Sequence, residues 1–285
     1  MQYLIIILCS LFACSKVTFQ GRLAKGNIQG VIDSVFANCL LFAIISIMFS
    51  VSALGGINPG VVPYSIIFGV LSAGFQVFYA LALQSGPFSA TCMMVNLNIF
   101  IPVVVAAVCL GEKVTAFRVA GIILCIFALY LNMQKDGRKI NFKWIVYVFM
   151  AFLCTGTLSA SQKFFAKSEF GVLKEQYIFL GYLIAFFVAL IVFLIMRGTK
   201  QPVSFKINRK TVTVLICIAA SLGAYQYCTT YANSIIDAIV LNPASSGLTT
   251  IFQMISGRIL FKDKFTKRRI LAICVGVAAI VLISL

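Results

Sequence analysis

Histidine is absent from the 285 residues, and only seven carboxylate side chains stand against 23 lysines and arginines. The commonest proton shuttle and metal ligand is therefore missing. The few acids are poorly placed for chemistry. Asp33 and Asp237 stand at the entrances of apolar stretches, and Glu112, Asp136, Glu169, Glu175 and Asp263 fall between such stretches. An intramembrane enzyme needs a nucleophile–base pair or a metal cluster, and neither is visible. There is no GxxxxGK[ST] phosphate loop, which argues against direct coupling to ATP. The ten cysteines (9, 14, 39, 92, 109, 125, 154, 217, 228 and 274) lie within apolar stretches, and none forms a CxxC pair. That excludes the usual zinc and disulfide patterns and leaves small apolar packing residues.

Polar surface is also scarce. Charged residues make up 11% of the chain and hydrophobic ones 61%, with a mean hydropathy of +1.05. A soluble domain of this length needs far more polar surface. A helix crossing a bilayer takes about 20 mostly apolar residues. Ten stretches fit: 2–20, 31–53, 62–83, 88–110, 115–132, 142–162, 176–196, 211–231, 237–260 and 268–285. Short connections join them and leave no soluble domain, so the expected fold is an all-α polytopic membrane protein with ten transmembrane helices. The chain opens Met1-Gln2-Tyr3 without a positively charged segment, which argues against a cleaved signal peptide. The net charge of +16 sits in the connections, where membrane proteins carry orienting charge. A nucleic-acid binder would instead need a solvated basic face with aromatic platforms.

An internal repeat underlies the ten stretches. "GEKVTAFRVAGI" at 111–122 aligns with "KDKFTKRRILAI" at 262–273, placing Glu112 on Asp263, Lys113 on Lys264, Thr115 on Thr266 and Arg118 on Arg269. "GFQVFYALA" at 74–82 aligns with "AYQYCTTYA" at 224–232, placing Gln76 on Gln226. "QGRLAK" at 20–25 aligns with "QKFFAK" at 162–167, placing Gln20 on Gln162. The halves are residues 1–132 and 142–285, with 133–141 as a linker. Five spans per half is odd, so the second half enters the membrane from the opposite side. The halves are thus expected to be inverted repeats, an arrangement that supports alternating access with the substrate near the midplane.

The acidic-basic-x-Thr turns "GEKVT" and "KDKFT", each followed by an apolar helix, resemble the EamA-like branch of the drug/metabolite transporter superfamily. Gly121 matches the family's usual glycine, and Ala272 stands at the corresponding place in the second half. The resemblance covers essentially the whole chain. It implies a fold in which helices 1–4 and 6–9 line a central cavity, with helices 5 and 10 outside.

Polar side chains inside the membrane are costly and mark candidate sites. The ninth stretch carries Asn242, Ser245, Ser246, Thr249 and Gln253 at helical spacing, one polar stripe. The third carries Ser72, Gln76 and Tyr79; the eighth carries Gln226, Thr229 and Thr230, with Asn233 just beyond; the sixth carries Thr155, Ser159 and Gln162. In the first, Lys16 and Gln20 share a face. Pro102 and Pro243 remove the donors that would meet the carbonyls of Asn98 and Ile239. The candidate substrate-binding set is therefore Lys16, Gln20, Gln76, Tyr79, Asn98, Gln162, Gln226, Thr230, Asn242, Ser246 and Thr249. The competing reading is that the hydroxyls and amides only join helices and that Lys16 snorkels to the interface.

Without a buried carboxylate, export of organic cations is disfavoured. The expectation is a secondary transporter, not an enzyme, for a neutral, zwitterionic or anionic small metabolite; the alternative is a membrane scaffold or receptor. Expected partners are the small-molecule substrate and the lipid bilayer, with no nucleic acid and no cofactor; a homodimer is left open. The expected location is the bacterial plasma membrane.

Charge also orients the chain. Connections 1–2, 3–4, 5–6, 7–8 and 9–10 carry 17 lysines and arginines, and the other side has five: Lys113, Arg118, Lys163, Lys167 and Lys174. Cytoplasmic connections collect basic residues, which places "FKDKFTKRR" in the cytoplasm and both termini outside, whereas the family's habit is the reverse. Alkaline phosphatase fused after Leu285 should be active; a bright fluorescent-protein fusion with inactive phosphatase would invert this topology.

Overall fold

The computed structural model describes residues 2–85, 91, 95, 97–109, 111, 115–132, 141–198, 203–261, 271, 274–276, 278–279 and 282. Nine helices run through them: α1 (Gln2–Asn27), α2 (Val31–Phe49), α3 (Val62–Ser85), α4 (Phe100–Cys109), α5 (Ala116–Asn132), α6 (Phe142–Lys167), α7 (Lys174–Gly198), α8 (Arg209–Ile235) and α9 (Ala238–Phe261). The described residues between 271 and 282 are helical too. No strand occurs among the described residues. Six helices, α1–α3 and α6–α8, are long and apolar enough to cross a bilayer. The chain is an all-α polytopic membrane protein. The "LFKDKFTKRR" phrase from Lys262 onward, most of "GEKVT" and the 133–140 linker lie outside the described residues.

Helix ends follow local chemistry. Asn141 Oδ1 accepts from the Trp144 N–H at 2.7 Å and caps α6, and Asn208 Oδ1 accepts from the Thr211 N–H at 2.8 Å and caps α8. The α8–α9 connection is only Ile236 and Asp237. Ile236 turns extended, and the Asp237 carbonyl accepts from the Val240 and Leu241 N–H groups to start α9. Pro102 sits in the first turn of α4, after a 3-10 turn at Leu97–Ile99, where a missing donor breaks no α-helical bond. Pro243 lies inside α9.

Asp33, in the first turn of α2, is buried. Its carboxylate accepts from the N–H groups of Gln29 at 3.1 Å, Ser204 at 2.8 Å and Phe205 at 3.1 Å. It therefore pins the α7–α8 connection onto the start of α2. At the opposite end, Gln176 of α7 does the same for the α2–α3 connection. It donates to the carbonyls of Gly56 at 3.0 Å and Ser52 at 3.3 Å, and accepts from the Asn58 N–H at 3.2 Å.

Helices early in the chain pack on helices late in it. α1 packs along α8, α3 along α6, and α2 along α7; α3 also packs on α7, and α9 on α1 and α4. Rings from four helices join α2, α3, α6 and α7. Phe42 meets Tyr182 at 5.6 Å, Tyr182 meets Phe68 at 5.3 Å, Phe68 meets Tyr177 at 5.1 Å, and Tyr177 stacks on Phe165 at 4.0 Å. At the centre of this cluster α3 and α7 cross with almost no side chain between them. A Cβ built on Gly69 would lie 2.6 Å from the Gly181 carbonyl oxygen, and one on Gly181 would lie 2.3 Å from the Phe68 ring. Small residues permit such close backbone approach in membranes.

Candidate functional site

The expected site residues fall into three groups. The first is a buried amide pair. Gln162 of α6 donates from Nε2 to Oε1 of Gln226 in α8 at 2.8 Å, and the two are only 4% and 6% exposed. Tyr182 of α7 places its hydroxyl beside Gln226. Thr230 donates one turn back to the Gln226 carbonyl at 2.8 Å, so its hydroxyl serves its own helix.

The second group joins helices or satisfies local backbone. Asn98 donates to Thr155 Oγ1 at 3.1 Å, tying the start of α4 to α6. Asn242 donates to the Ala238 carbonyl at 3.0 Å, and Ser245 donates to the Asn242 carbonyl at 3.4 Å. Ser10 of α1 donates to the Ser245 carbonyl at 3.2 Å, and Cys14 to Ser256 Oγ at 3.6 Å, which seats α1 on α9. Part of the α9 polar stripe thus serves as helix-to-helix contact. Ser246 and Thr249 on the same stripe are half-buried, and the side chain of Gln253 lies outside the described residues.

The third group is half-buried and more open: Lys16 and Gln20 on α1, and Gln76 and Tyr79 on α3. The Tyr79 ring stacks on Phe75 at 5.4 Å. Lys16, Gln20 and Gln76 make no hydrogen bond to described residues. α1 extends to Asn27, seven residues beyond the apolar stretch read from sequence, while its apolar span runs Tyr3–Gln20, so Lys16 stays about one turn from the end of that span.

The burial of Lys163 and a hollow at the α2–α7 end escaped the sequence reading. Lys163, counted there as a connection charge, is 2% exposed inside α6, and its Nζ donates to the Ile236 carbonyl at the end of α8. A cation there complements the negative end of the helix dipole. It is a packing charge rather than an orienting one, so the less basic side keeps four of its five residues. Asn233 near the same end is buried, with no partner for its Oδ1 among the described residues, while its Nδ2 donates to the Thr229 carbonyl at 3.0 Å. A hollow of about 390 Å³ opens between the end of α2 and the start of α7, lined by Met48, Phe49, Val51, Ser52, Leu173, Glu175 and Gln176. It contains none of the expected site residues.

No group of three potential metal ligands occurs among the described residues. Long apolar helices with polar side chains gathered inside the bundle define a multi-pass membrane protein. The match to a family agrees: residues 1–134 fit the EamA-like transporter family. That agrees with the likeness read from the sequence, over the first turn and not the second, and members of this family are transporters rather than enzymes. No curated protein matches the chain. A solved structure described only as "Crystal structure of protein" is similar over 99% of this chain and 95% of that one, with a TM-score of 0.78 at 14% identity. At that identity the likeness is one of fold.

Proposed function

We propose that this protein is a secondary transporter that moves a zwitterionic or anionic small metabolite by alternating access between two inverted five-helix repeats, residues 1–132 and 142–285. The observation that carries the reading is the exchange pattern of the packing. Swapping the halves converts the α1–α8 contact into the α6–α3 contact and maps α2–α7 onto itself. A pseudo-two-fold axis between α2 and α7 would produce that pattern, and such an axis lets two equivalent gates face opposite sides.

Substrate charge is read from Lys16. It is half-buried within the apolar span of α1, where a charge is costly unless it serves a function. No described carboxylate pairs with it. Gln20, one turn further along the same face, adds an amide suited to a carboxylate or phosphate oxygen. Gln76, Tyr79, Ser246 and Thr249 supply neutral polar lining from α3 and α9.

Vesicles containing the purified protein should accumulate at least one labelled solute from a panel of amino acids, sugars and nucleotides, with charged members ahead of neutral sugars. Flux of none would replace this reading with a scaffold or receptor. Flux of sugars alone would remove the assignment to Lys16.

A further inference from the structure

We propose that Gln20 and Gln76 form the reciprocal latch of the Gln162–Gln226 pair, made when that pair breaks and broken when it is made. The inference rests on the alternating-access reading above.

The sequence aligns Gln20 with Gln162 and Gln76 with Gln226. The members of each aligned pair lie on corresponding helices, α1 with α6 and α3 with α8. Yet the structure treats the two pairs differently. Gln162 and Gln226 are buried and bonded at 2.8 Å. Gln20 and Gln76 are half-buried and make no bond to each other. The helices carrying them differ in the same sense: α6 packs on α8, but α1 and α3 form no comparable contact among the described residues.

Beside the closed pair, Lys163 fastens α6 to the Ile236 carbonyl at the end of α8. Its aligned position in the first half is Gly21, which has no side chain to make such a bond. The α6–α8 end is therefore held by two side chains, and the α1–α3 end would be held by one. The molecule is closed where α6 and α8 end and parted where α1 and α3 end.

Exchange of one amide pair for an equivalent one leaves the number of side-chain bonds unchanged. Each parted glutamine regains its bonds from water in the opened vestibule. The two states then differ little in free energy from this source, which is what a transporter requires if substrate is to tilt the balance. Lys163 adds a bias toward the state seen here.

Cross-linking tests the exchange without substrate. In Gln20→Cys/Gln76→Cys, oxidative cross-linking of the two new thiols should be slow, with the product identified by the mass of the linked peptides. Adding Gln162→Leu should raise that rate about threefold, the effect expected for one interhelical hydrogen bond in a membrane. Adding Gln226→Leu instead should act the same way and guards against a local fault of one variant. Lys163→Met should raise the rate further. A rate unchanged in both leucine variants overturns the latch. Reciprocal cross-linking in a protein that moves no solute overturns the transport reading and leaves the latch. Solute flux with unchanged cross-linking leaves transport and removes the latch.

Discussion

Gly69→Val should yield no monodisperse folded protein, and Gly69→Ala should lower the melting temperature clearly in detergent. The reason is the identity of the atoms met. A Cβ at Gly69 lies 2.6 Å from a backbone carbonyl, that of Gly181, and 2.7 Å from Ile184 Cβ. None of these is the far end of a flexible side chain, so the helices themselves must part. Overpacking of this kind costs about 1–3 kcal/mol when neighbours can give, and here the neighbours also hold the Phe68–Tyr177–Phe165 ring stack. Valine adds two further methyls to the same space. Gly55→Ala is the control: nothing lies within 4 Å of its Cβ position, so its melting temperature should match the parent. A Gly69→Val protein as stable as the parent would mean that α3 and α7 do not cross at this point.

Sequence made the helices legible because spanning a bilayer needs a long apolar run, and composition alone reveals such runs. The limits of those runs were less legible. α1 continues through Arg22 and Lys25 to Asn27, since basic residues have good helix propensity and hydropathy says nothing about where hydrogen bonding stops. Lys163 shows the same ambiguity from the other side. A lysine near the end of an apolar run reads as an interface charge; here its partner is a carbonyl 73 residues away, on a different helix, and no local pattern encodes that. The glutamines were legible as aligned positions. That Gln162 and Gln226 are bonded while Gln20 and Gln76 are not could not be read from sequence, because alignment alone leads one to expect like behaviour at like positions. The Gly69–Gly181 contact was likewise hidden, since a glycine in a membrane helix is common and its neighbour is set only by assembly.

Lys16→Met should reduce uptake of carboxylate-bearing solutes by at least about tenfold in reconstituted vesicles, through a raised KM, while the protein still folds and inserts. Methionine keeps the length and removes the charge. Its loss removes a charge-assisted hydrogen bond, worth about 1.5–3 kcal/mol, and each 1.4 kcal/mol is a factor of ten in affinity. Folding should not suffer. A lysine inside an apolar span costs up to about 2.5–3.5 kcal/mol on insertion scales, and no described partner offsets that cost, so removing it should hold or raise the melting temperature. The opposite movements of transport and stability are the signature of a residue kept for its ligand. Asp33, the one described acid buried inside the bundle, already accepts from three backbone N–H groups and is engaged in holding the α7–α8 connection. Lys16→Arg should retain a substantial part of the uptake, since the positive charge and donors remain. Unchanged KM in Lys16→Met, or a fall in melting temperature matching the loss of uptake, would make Lys16 a structural residue and leave the substrate's charge to be recognised elsewhere.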